Sequence, residues 1–107
     1  LADELDFSKM DYKMREPETN ADLMKEFDEK LSSALDVLKN TSDETMMTMW
    51  TMRDGETVYL TLPKIAVLRS FVYSHLIHHR GQLSVYLRLL DVPLPSVYGP
   101  TADDAGM

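Results

Sequence analysis

From Ile65 to Leu90 the side chains Ile65, Leu68, Val72, His75, His79, Leu83, Tyr86 and Leu90 follow one another in steps of three or four residues. That rhythm is the repeat of one helix face, and an apolar stripe of this length must be buried against something. A helix over about 62–90 is therefore expected, with Thr61 as N-cap and Pro63 in the first turn, where a missing N–H matters little. Val92-Pro93-Leu94-Pro95 stops it. Gly81 inside the helix costs roughly 1 kcal/mol relative to Ala, so either a backbone packs closely there or something needs room beside His78 and His79.

A second helix is legible upstream. Thr19 or Asn20 can cap it, and Asp22 complements the positive end of its dipole. Leu23, Met24, Phe27, Leu31, Ala34, Leu35 and Leu38 line one face, with Lys25, Asp28, Glu29 and Asp36 on the other, to about Lys39. Asn40, Thr41, Ser42 and Asp43 end it. Residues 1–19 read as polar and irregular, with Leu1 to Leu5 as the frayed end of a helix. Between 46 and 62 the period changes to two: Val58, Leu60 and Leu62 alternate with Thr57, Tyr59 and Thr61, and Asp54-Gly55 marks a turn. This is a short hairpin or extended segment against helices, anchored by Trp50. Met46, Met47, Met49 and Met52 suggest a pliant apolar surface, with core filler as the commoner reading. The fold class expected is all-α.

At 107 residues the chain has room for one core. Residues 1–61 carry a net charge of −8 and residues 62–107 a net of +1, for −7 in all. An acidic chain without a basic stripe repels phosphate, so nucleic acid is not expected as a partner. No apolar run is long enough for a membrane span, because Arg69 breaks the stretch from Ile65 to Phe71. Asp3, Glu4 and Asp6 stand where a leader would be basic, and the chain has no cysteine, so a cytoplasmic location is expected.

The chemistry concentrates in His75-Leu76-Ile77-His78-His79-Arg80-Gly81-Gln82-Leu83. His75 and His79 stand one helical turn apart on one face, where a rigid element can offer two imidazole nitrogens to a single divalent ion. His78 lies about 60° from His75 and about 100° from His79 around the helix, which makes it a flanking group. The other reading is a hydrogen-bonded histidine seam facing the core. The zinc-protease signature is excluded, since Leu76 stands directly after the first histidine where that motif needs Glu. Asp103 and Asp104 form a terminal carboxylate pair whose ordinary reading is solvation.

That segment, with Tyr86-Leu87-Arg88 and the tail Pro95-Ser96-Val97-Tyr98-Gly99-Pro100-Thr101-Ala102-Asp103, resembles the DinB-like family and its YfiT-type members. The resemblance covers most of residues 1–104 and is most specific in the last thirty or so. It implies an up-down-down-up four-helix bundle binding a divalent metal (Zn, Ni, Mn or Fe) through three histidines, of which His75 and His79 match two. The third would lie upstream of Leu1, so residues 1–107 read as one domain lacking the family's upstream helices. The family's characterised activities, bacillithiol-type thiol transfer and a mycothiol-dependent isomerisation, imply a metal-dependent transferase or hydrolase acting on a small-molecule thiol. Gln82, Tyr86 and Tyr98, with His78, would then line the pocket; which residues are catalytic stays open.

The competing expectation is a non-catalytic bundle with a structural histidine seam. Two amphipathic helices leave their stripes uncovered, so a homodimer is expected on either reading.

Overall fold

The computed structural model describes residues 1–104. They divide into two compact units, Leu1–Val67 and the segment from Leu68 onward.

In the first unit the period-two stretch forms strands β2 (Met49–Asp54) and β3 (Thr57–Pro63), antiparallel, with Trp50 opposite Leu62 and Thr51 opposite Thr61. Gly55 takes a positive φ of 55° at the first central position of the turn, as a two-residue type II′ connection requires. A hairpin alone is marginal, and here a third strand completes it. Strand β1 (Glu4–Asp6) pairs parallel to β2, with Leu5 opposite Met52, in the order β1-β2-β3. Parallel pairing needs a long crossover, and the intervening chain supplies it.

The all-α four-helix bundle is therefore not the fold of the described residues, which combine helices with a mixed three-stranded sheet. The stretch read as a frayed helix end, Leu1 to Leu5, is the source of β1. Its alternation is too short to register as a strand until β2 offers an edge.

Helix α1 (Asn20–Lys39) begins where its cap signal stands: Thr19 Oγ1 accepts the Asp22 N–H at 3.1 Å. It stops at Asn40 as expected, but a second short helix comes next, α2 (Asp43–Met47), capped by Ser42 through the Thr45 N–H. Pro63 closes β3 instead of opening a helix, and Thr61 bonds the Thr51 hydroxyl at 3.0 Å instead of capping. Helix α3 (Lys64–Val67) packs against β2, β3 and α2.

Among the described residues no apolar side chain is buried; Leu5, Trp50, Met52, Leu60 and Leu62 are half-buried, and the two buried residues are Asp6 and Lys64. Both are charged and both are paired, as burial demands. Lys64 Nζ donates to Asp3 and to Thr48 Oγ1. Asp6 accepts Gly55 N–H at 3.0 Å, Ser8 N–H at 3.1 Å and the Ser8 hydroxyl at 2.7 Å. These bonds tie β1 to the hairpin turn. The Ser8 hydroxyl first, then the Gly55 N–H, hold the Asp6 carboxyl well below the usual carboxylate range. The bond from Lys64 lowers the Asp3 carboxyl.

The second unit starts with a π-helical stretch, Leu68–Tyr73, leading into α4 (Ser74–Leu89). The Ser74 hydroxyl donates to the Arg69 carbonyl at 3.0 Å. A π stretch inserts one extra residue into the helical repeat. Leu68, at its start, is thus out of phase with His75 and His79. Helix α4 ends in paired bonds, Val92 N–H to Leu87 C=O at 3.0 Å and Asp91 N–H to Arg88 C=O at 3.1 Å, with Asp91 left-handed at φ 55°. No helix among the described residues is long and apolar enough to cross a membrane.

Candidate metal centre

Helix α4 carries the histidines on its own backbone, so their spacing is set by helical geometry alone. His75 and His79 stack with ring centroids 4.5 Å apart, and their Nε2 atoms meet at 2.7 Å. His79 Nδ1 lies 3.1 Å from Gln82 Oε1. A carbonyl oxygen only accepts, so a neutral His79 ring carries its proton on Nδ1 and presents a lone pair at Nε2. His75 Nε2 then donates to it. The ring of His78 is 5.1 Å from that of His79 and 6.3 Å from that of His75, edge-on and tilted. It borders the pair without joining it.

Four of the six candidate residues therefore come together: His75, His78, His79 and Gln82. Tyr86 continues the same helical line, seven residues beyond His79, and is exposed. Tyr98 belongs elsewhere. Its ring carries the Arg80 guanidinium 5.7 Å above its centroid, on the rim of an apolar cleft of about 460 Å³ between α4 and the tail.

His75, His78 and His79 are exposed, as are Leu76, Leu83, Tyr86 and Leu90 beside them. Burial depends on what packs on a face, and periodicity shows only that the face is suited to packing.

The donor set fits a divalent ion in part. Two imidazole nitrogens on a tetrahedral ion at about 2.05 Å stand about 3.3 Å apart, so the 2.7 Å pair must open by about 0.6 Å, within reach of a side-chain rotation. No group of three or more His, Cys, Asp or Glu suited to a metal occurs among the described residues. His75 and His79 are thus two donors of a set that needs a third.

The tail holds carboxylates whose sequence context suggested only solvation. Asp103 accepts Leu94 N–H at 3.0 Å and pairs with Arg88 at 2.6 Å; Asp104 accepts the Ser96 hydroxyl at 2.7 Å and the Thr101 N–H. Those bonds lower both carboxyls, Leu94 N–H being the chief cause for Asp103 and the Ser96 hydroxyl for Asp104. The pair folds the tail instead of standing in water. The sequence signal was there in Pro93 and Pro95, which constrain the segment these carboxylates close.

A family model described as DinB family matches residues 3–106. The chain belongs to the DinB family. No curated protein and no solved structure matches it. The histidine segment on α4 and the tail both fall within the DinB match.

Proposed function

We propose that this DinB-family chain binds a divalent metal ion through His75 and His79 and serves a metal-dependent transfer of a small-molecule thiol. The observation that carries the reading is the convergence of two Nε2 atoms at 2.7 Å on one helix turn, with His79 held in the tautomer a ligand needs. Both rings are exposed, so their nitrogens are open to an ion from solvent.

A divalent ion with imidazole donors and open positions supplies Lewis-acid chemistry, which suits activation of a thiol or of water. The chain's own part is to hold the two nitrogens on a rigid helix, so that little ordering accompanies binding. His75 must first move its proton from Nε2 to Nδ1, because a ligating nitrogen needs its lone pair. The thiol substrate rests on family membership alone.

Zinc and nickel titrations of His75→Ala, His79→Ala and His78→Ala test the assignment. The first two are expected to abolish binding and the third to leave most of it, because only His75 and His79 aim nitrogens at one point. Equal loss in all three would overturn the ligand assignment. Elemental analysis giving less than about 0.2 metal per chain, unchanged by added zinc, nickel or manganese, would end the metal reading.

A further inference from the structure

The geometry points to Gln82 as the positioning residue of His79: its side-chain carbonyl fixes which imidazole nitrogen is free to bind. This rests on the metal reading above for its functional meaning, and on the hydrogen bond itself for its structural one. Gln82 stands three residues after His79 on α4, so one helical turn brings the amide beneath the ring. The distance from His79 Nδ1 to Gln82 Oε1 is 3.1 Å. On the opposite side of the same ring, Nε2 faces His75 at 2.7 Å.

For neutral rings the two contacts together leave one consistent arrangement. Gln82 Oε1 cannot donate, so neutral His79 is protonated at Nδ1 and bare at Nε2, the atom that faces the second histidine. A histidine ligand tied through its other nitrogen keeps its ring orientation and gains basicity, and loss of such a partner commonly weakens metal affinity 10–100-fold. His78 has no such anchor in its own turn: the residue three positions on is Gly81, which has no side chain. A positioned ligand and a flanking histidine thus differ partly in the residue one turn beyond each, an amide for His79 and a bare glycine for His78.

Long-range ¹H–¹⁵N NMR of the histidine rings, at a pH where imidazole is neutral, reads the tautomer directly in the metal-free chain. A zinc titration of the same samples reads its consequence. In the wild type His79 is expected as the Nδ1–H tautomer. In Gln82→Leu that preference is expected to be lost and zinc affinity to fall 10–100-fold, while Gln82→Glu, which keeps an acceptor in place, restores both. Circular dichroism of the metal-free variants should be unchanged, since Gln82 is exposed. An Nε2–H tautomer in the wild type, or Gln82→Leu with tautomer and affinity within twofold of wild type, overturns the assignment. If wild-type chain takes up no zinc, the metal reading fails, and the tautomer arm still decides whether Gln82 orients His79.

Discussion

Several chemically loaded residues of α4 and the tail have a neighbour that defines them. His79 is defined by Gln82 and His75, Tyr98 by Arg80, and Asp103 by Arg88 and the Leu94 N–H. Gly81 is the exception, since a Cβ placed there would meet nothing within 4 Å. The close-packed backbone that a mid-helix glycine suggests is not found around it. Gly81→Ala should therefore stabilise α4 by up to about 1 kcal/mol, visible as a higher midpoint in thermal unfolding. A lower midpoint, or zinc binding that weakens without loss of helix, would mean that the open space beside His78 is used.

At the scale of elements, the sheet depends on carboxylates distant in sequence from what they hold. Asp6 binds the turn at Gly55, and Asp3 binds Lys64. Both carboxyls are depressed below their ordinary value of 3.8. A depressed folded-state pKa contributes stability that is fully present above about pH 4 and is lost as pH falls through the folded value. Trp50 lies on β2 and is the chain's one tryptophan, so its fluorescence reports on the sheet. The emission should stay constant from pH 7 to about 5 and shift as pH falls below about 4. Asp6→Ala should lower the sheet's midpoint more than Lys9→Ala, because Lys9 is an exposed partner with little to lose. Equal effects would mean that the bonds to Gly55 and Ser8 do not hold the strand.

At the scale of the whole molecule, the described residues lack a buried apolar side chain. Leu76, Leu83, Tyr86 and Leu90 on α4, and Leu23, Phe27 and Leu31 on α1, are exposed. Side chains of this size contribute on the order of 2 kcal/mol each when fully covered, a strong drive toward association. Light scattering of the chain at micromolar concentration should accordingly give a mass above 12.3 kDa. A clean monomer mass with cooperative unfolding would mean that the chain covers these faces by itself.

Signals confined to a few neighbouring residues were legible in the sequence. The Thr19 cap, the stop at Asn40, the Asp54-Gly55 turn, the pairing of His75 with His79 and the flanking place of His78 all depend on residues within a turn or a short hairpin of one another. Family membership was legible too, from a resemblance that the family match over residues 3–106 bears out. What tertiary structure decided involves partners far apart in the chain. Asp6 and Gly55 are separated by 49 positions, and three residues near the N-terminus become a strand because β2 has a free edge. Exposure of the histidine line belongs to the same class. A helix's own sequence determines which side chains share a face, whereas burial of that face depends on what the rest of the fold brings against it.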